Sequence, residues 1–242
     1  MSFTQDRLRE TLATLPGNRR YLLAYSGGRD SCVLLHSLAG LAGRLSAELR
    51  VLHVDHGLQP ASAGWARHCQ RVCADLGLDC EILPLGPFRQ KGQSPEAQAR
   101  EARYRVLAEH LGPDELLLTA HHRDDQAETV MLQLLRGAGL AGLAAMPAVC
   151  RFGPGYLARP LLQFTRSELE AYAMEHHLQW VEDPSNRDTG LDRNYLRQRV
   201  MPLLEARWPA CSRTLSRSAR HCAEAQALID ENLFRLSVLC AP

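Results

Sequence analysis

Lysine is almost absent from this chain. Lys91 is the sole one in 242 residues, and arginine carries nearly every positive charge. That excludes a Walker phosphate loop, whose G-x-x-x-x-G-K-[ST] string needs a lysine beside its glycines. None of the eight cysteines (32, 69, 73, 80, 150, 211, 222 and 240) forms a C-x-x-C pair, so zinc and iron–sulfur chemistry are not expected and all eight read as reduced thiols. No apolar stretch approaches the ~20 residues of a membrane span. The first residues, MSFTQDRLRETLATL, lack the basic start and apolar core of a signal peptide, so the expectation is a cytoplasmic protein with no membrane association. Net charge is only +1, so overall charge does not announce nucleic acid. Its distribution says more: between Arg187 and Arg220 eight arginines face three acids, which suits phosphate contact or, equally, a solvated helix face.

What is present is organised around residues 21–38. Tyr21 to Tyr25 is an unbroken apolar run, which predicts a strand buried on both faces. Ser26-Gly27-Gly28-Arg29-Asp30-Ser31 breaks it, and apolar residues then recur at helical spacing, with Leu34, Leu38 and Leu41 as a stripe. A strand therefore runs through a glycine turn into a helix start. Adjacent glycines leave the backbone uncrowded, so several N–H groups can converge on one anion. The helix N-terminus adds roughly half a positive charge. Ser26 and Ser31 can add hydroxyl donors, and Asp30 can hold a cation that neutralises a polyphosphate. This loop lacks the G-x-G-x-x-G dinucleotide pattern. Its plain alternative is a strand-to-helix turn with a capping Ser or Asp.

Further strands are expected at 49–55, 80–85 and 115–120. Helices are expected at 4–15, 62–76, from a Ser94 cap to about 111, at 124–136, from a Thr165–Glu168 capping box to about 177, at 193–207 and from Pro209 onward. Residues 148–163 suggest a short hairpin around Gly153-Pro154-Gly155. The glycine- and alanine-rich 137–147 suggests tight backbone packing or a mobile loop. Alternating strands and helices imply an α/β fold: a doubly wound, mostly parallel sheet followed by a small, mostly helical appendage. The expected division is a nucleotide-binding domain at 1–147 and a helical subdomain at 148–242. Ligands of such sheets sit at the carboxyl ends of the strands, which here carry Ser26–Ser31, Asp55-His56 and His121–Asp125.

In His121-His122-Arg123-Asp124-Asp125-Gln126-Ala127-Glu128, Asp125 and Glu128 share a helix face. Acids there also serve as dipole neighbours. Paired carboxylates suit an ammonium group, and one of them can take a proton from an attacking amine. Adjacent histidines in a strand point to opposite faces, so one is expected in the site and the other in packing, rather than both on zinc. The third cluster, Trp180-Val-Glu-Asp-Pro-Ser-Asn186, reads as loop chemistry, with arginines beyond it that can clamp a phosphate or a base.

SGGRDS after a strand resembles the signature of PP-loop ATP pyrophosphatases. With HVDHGLQPAS, ARYRVL, TAHHRDDQAETVMLQLLRGAGLAGLAAM, RPLL, WVEDPSN and RNYLRQRVMPLL in this order, about residues 20–205 resemble the tRNA(Ile)-lysidine synthetase family. The resemblance implies a cytoplasmic ligase. It would use ATP and Mg²⁺ to activate C2 of the wobble cytidine of a CAU-anticodon tRNA(Ile), releasing pyrophosphate. The amine of free L-lysine then displaces AMP to give lysidine, which reads AUA instead of AUG. Ser26, Gly27, Gly28, Arg29, Asp30 and Ser31 fall on the ATP loop, with Asp30 the Mg²⁺ contact. Asp125 and Glu128 fall on carboxylates associated with lysine. His121 and Arg103 fall near the reacting phosphate, and Arg193 and Arg197 lie in the RN-x-L-R stretch near that site. Family analogy leaves room for a homodimer.

Many bacterial members continue into further C-terminal domains, so the expectation is a short form or the catalytic part of a longer chain. A cytidine thiolase, the nearest rival, generally needs C-x-x-C cysteines. A nucleotide-binding module without chemistry would have no need of Asp30, Asp125 and Glu128. A ligand-free interaction domain would not be stabilised by ATP–Mg²⁺.

Overall fold

The computed structural model of the chain describes residues 2–16, 20–45, 47–55, 57, 62–85 and 95–239. In chain order its main elements are α1 (Gln5–Ala13), β1 (Arg20–Ala24), α2 (Arg29–Leu41), β2 (Glu48–Asp55), α3 (Ser62–Asp75), β3 (Cys80–Pro84), α4 (Pro95–Glu109), β4 (Glu115–Leu118), α5 (Arg123–Leu135), α6 (Leu140–Leu143), β5 (Val149–Phe152), β6 (Gly155–Ala158), α7 (Arg166–Glu175), α8 (Asp192–Tyr195), α9 (Met201–Arg207) and α10 (Cys211–Leu239). A 3-10 turn covers Pro184–Arg187, and a π-helical turn over Leu196–Val200 joins α8 to α9. His56 and the Ser94 cap lie outside the described residues.

Compactness divides the chain into two interleaved units, Met1–His121 with Val149–Asp183, and His122–Ala148 with Pro184–Pro242. This differs from the expected division at 147/148, and the reason is hydrogen bonding. The predicted hairpin forms, with Phe152 opposite Gly155, but it does not stand apart. β6 pairs in parallel with β4, Leu117 beside Leu157, so residues 149–158 extend the sheet of the first unit.

That sheet has the order β3-β2-β1-β4-β6-β5, with only β5 antiparallel. The chain steps outward from β1 to β3 and then returns to β4 on the other side of β1. The carboxyl end of β1 is therefore the topological switch point, where open α/β sheets bind ligands. β1 is buried from Tyr21 onward because both faces are covered. Tyr21, Leu23 and Tyr25 pack with residues of α1, α2, α3 and α7. Leu22 and Ala24 pack with Leu52, Val54, Leu117, Leu157 and, from α4, Leu107. Side-chain alternation along a strand sends successive residues to opposite cores, which is why the run carries no polar residue. The predicted capping box opens α7: the Glu168 N–H donates to the Thr165 hydroxyl, and the Thr165 N–H to Glu168 Oε2 at 2.7 Å.

The second unit is helical. Its α10 packs along α5 and α6, with the Ser216 hydroxyl donating to the Arg123 carbonyl at 3.4 Å. The glycine–alanine stretch is tightly packed: a Cβ on Gly142 would lie 2.6 Å from the Ala138 Cβ. It is pinned at its end by Gln126, whose amide donates to the Met146 carbonyl (2.9 Å) and accepts from the Met146 N–H (3.0 Å). Ala145, at φ +53°, takes a left-handed conformation unusual for a residue with a Cβ. Gly137–Gly142 happens to spell G-x-G-x-x-G, but it follows a helix rather than a strand, which removes the context a dinucleotide site requires.

Candidate active site

The loop between β1 and α2 is shaped by its backbone. Gly27 sits at φ +78°, in the left-handed region, and a Cβ there would come within 2.7 Å of the Cys69 Sγ. Its carbonyl accepts from the Val181 N–H at 2.9 Å and from the Cys32 thiol at 3.4 Å, so the loop is braced from behind. Burial pushes the Cys32 thiol up to about 11, and that of Cys69 up as well, so these thiols are packing groups rather than nucleophiles.

Gly28 caps α2 without a side-chain acceptor. The Ser26 and Ser31 hydroxyls lie 3.0 Å apart, and Ser31 donates to the Gly28 carbonyl at 2.8 Å. Helix dipole, glycine backbone and hydroxyls thus meet at the switch point, an arrangement suited to phosphate. Arg29 and Asp30 pair with each other at 3.2 Å, and Arg29 reaches Glu170 of α7 at 3.1 Å. The Arg29 guanidinium is thereby tied to two carboxylates.

At the neighbouring strand ends, Asp55 accepts from the Gly57 N–H at 2.9 Å. His121 follows β4 and shares a hydrogen bond with Thr119, Nδ1 to hydroxyl, at 2.9 Å. His53 of β2 bonds the Tyr25 carbonyl at 2.9 Å, just below the loop. Burial pushes His53 below its ordinary value, and the Arg103 charge pushes the same way. Arg103 lies on α4. Its own guanidinium is lowered, first by burial.

In the second unit Asp125 and Glu128 of α5 do share a face, and the structure brings Arg193 and Arg197 onto them. Glu128 Oε1 receives Arg197 Nε at 2.6 Å. Its Oε2 receives Arg193 Nε at 2.9 Å and Arg197 Nη2 at 2.8 Å. Asp125 Oδ1 receives Arg197 Nη2 at 2.9 Å and Arg193 Nη2 at 3.2 Å. The Glu128 side chain is only 3% exposed, so its charge needs these partners. Four residues thus form a neutral, densely hydrogen-bonded quartet.

His122 is the packing histidine: buried, it caps α5 by accepting the Asp125 N–H on Nδ1 (3.3 Å), while Asp125 Oδ2 accepts the His122 N–H (3.1 Å). The motif strings gave no separate role to two buried amides. Besides Gln126, Asn194 donates to the Ser185 and Asp188 carbonyls, both at 2.9 Å, and ties the 3-10 turn to α8. A polar residue at a position that helical spacing assigns to the buried side was the available signal.

Among the described residues, no helix is long and apolar enough to cross a membrane. The PP-loop domain family matches residues 2–204. A tRNA(Ile)-lysidine synthase of Methylococcus capsulatus is 52% identical over 215 residues, 89% of this chain and 49% of that protein. The tRNA(Ile)-lysidine synthases of Alkalilimnicola ehrlichii and Pseudomonas aeruginosa are 51% and 50% identical, over 93% and 94% of this chain and 51% of each protein. The chain thus spans about half the length of these curated relatives. Among solved structures, the U34-tRNA thiolase NcsA from Methanococcus maripaludis, with its [4Fe-4S] cluster, aligns with a TM-score of 0.74 at 20% identity, over 91% of this chain and 78% of that one. That likeness concerns the fold. With the glycine loop at the switch point of a parallel sheet and a family match spanning most of the sequence, the chain belongs to the PP-loop domain family.

Proposed function

We propose that this chain carries the catalytic part of a tRNA(Ile)-lysidine synthetase. ATP binds at Ser26–Ser31. The wobble cytidine of a CAU-anticodon tRNA(Ile) attacks the α-phosphorus through its C2 oxygen, and pyrophosphate leaves. The amine of L-lysine then attacks C2, AMP departs, and the amine loses a proton.

The observation that carries this reading is that one chain holds both a phosphate-binding loop and two acids on one helix face. A chain that binds only phosphate has no need of paired carboxylates, whereas one that must also hold an amine does. Asp125 and Glu128 carry guanidinium partners in the structure. The ammonium of lysine offers the same charge and donors, so it can exchange with one of them. The arginine, Arg193 or Arg197, released by that exchange could neutralise phosphate charge, as could His121 and Arg103. Asp30 fits Mg²⁺: it supplies a hard carboxylate oxygen in the first turn of α2, beside two hydroxyls. When bound, the ion would offset the negative charge of the triphosphate.

The test is mass analysis of nucleosides from tRNA(Ile) incubated with the chain, ATP, Mg²⁺ and lysine. A cytidine heavier by one lysine residue is the expected result. If excess tRNA yields no adduct and no AMP, the chain is a nucleotide-binding module instead.

A further inference from the structure

The helical run through α8, the π turn and α9 carries four arginines with two different fates. Arg193 and Arg197 are consumed by Asp125 and Glu128. Arg199 and Arg207 turn outward, are exposed, and have no ion pair among the described residues. They alternate at four-residue spacing with Tyr195 (51% exposed) and Leu203 (73%), and Trp208 (57%) follows directly. Arg207 lies over the Trp208 ring, 5.7 Å from its centroid. Four-residue spacing keeps Tyr195, Arg199, Leu203 and Arg207 on one side, and the wider π turn straightens the stripe. The stripe carries no acid, while the opposite side of the run, with Asn194, Leu196 and Met201, is buried.

We propose that Tyr195, Arg199, Leu203, Arg207 and Trp208 form a docking surface for an unpaired RNA segment. This rests on the RNA-substrate reading above. Tyr195 and Trp208 stack on bases, Arg199 and Arg207 take the flanking phosphates, and Leu203 packs between them. A protein partner with an apolar face would bury two guanidiniums without counter-charge, which is costly. RNA supplies both the charge and the flat faces. The segment must be unpaired, because a duplex keeps its base faces stacked inside.

The test is fluorescence anisotropy of the full chain with a labelled RNA stem-loop, and with a duplex of the same composition as control. Tyr195→Ala and Trp208→Ala should each weaken stem-loop binding by roughly 10-fold and leave duplex binding unchanged. Trp208→Phe should restore most of it. Arg199→Gln and Arg207→Gln should weaken both RNAs and each lower the salt slope by about 1. All these side chains are exposed, so melting temperatures should not move. Unchanged stem-loop affinity, or an equal loss for both RNAs on removing the rings, overturns the stripe and leaves the catalytic reading standing. A change of oligomeric state in Trp208→Ala, measured by light scattering, assigns the face to a second copy and overturns it too. Failure of the wild-type chain to bind the stem-loop at low salt overturns the RNA-substrate reading itself.

Discussion

The phosphate loop of the first unit and the ion quartet of the second both manage charge, by opposite means. The loop uses backbone: a glycine at positive φ, a helix start without a side-chain cap, and a brace of thiols and main chain behind it. Such a site is built by neighbours in sequence and can be spelled in six letters. The quartet uses side chains brought from 65 to 72 residues apart, with two acids on α5 and two arginines on α8 and the π turn that follows it. Its charges cancel within it, so its fold-stabilising role and the lysine-binding role proposed for it draw on the same atoms.

Breaking each region should therefore look different. The largest effect is expected from Asp30→Asn, which should lower ATP-dependent pyrophosphate release by roughly 10²–10³-fold, as for loss of a group that stabilises transition-state charge. Its melting temperature should stay close to wild type, because Asp30 is partly exposed. A variant that kept turnover would remove Asp30 from the site.

Glu128→Gln should act on both stability and chemistry. Two guanidiniums lose a charged partner in a largely buried setting, which costs about 3 kcal/mol. On a chain of this size that amounts to roughly 6–12 °C in Tm. The lysine concentration needed for product should rise while ATP–Mg²⁺ still stabilises the protein. Unchanged lysine kinetics would assign the quartet to structure alone.

Gly27→Ala sharpens the contrast. It adds no charge, yet its left-handed φ and the Cys69 sulfur oppose a Cβ, at about 1–3 kcal/mol. Calorimetry should show the loss, and the stabilising shift on adding ATP–Mg²⁺ should shrink with it.

The smallest effect concerns His53. Its folded pKa lies below the unfolded value of 6.5, so the unfolded chain binds the proton more readily. Its contribution is present above that pH and is lost as pH falls through it. Denaturant unfolding from pH 7.5 to 5.5 should show declining stability, with a shallower slope in His53→Gln. An unchanged slope would place the pH dependence elsewhere.

The unbroken run at Tyr21–Tyr25 was legible as a doubly buried strand because burial on both faces leaves no place for a polar residue. The Thr165–Glu168 box and the glycine turn were equally legible, since caps and turns are made by residues a few positions apart. The shared face of Asp125 and Glu128 followed from helical periodicity, but their partners did not. That Arg193 and Arg197 close on those acids depends on how α5 and the helical run from α8 pack, which no local pattern encodes.

The sequence by itself thus determined most of the strands and helices and the glycine loop at the end of β1, which rest on spacing within a few residues, and, through the alternation of those elements, the parallel, doubly wound character of the sheet. Only the tertiary structure decided that β6 joins β4 and carries residues 149–183 into the first unit. It likewise decided that His122 caps a helix and that the two acids are held by two arginines. Strand pairing and buried ion pairs join residues distant in the chain, and their partners are chosen by packing rather than by neighbours in sequence.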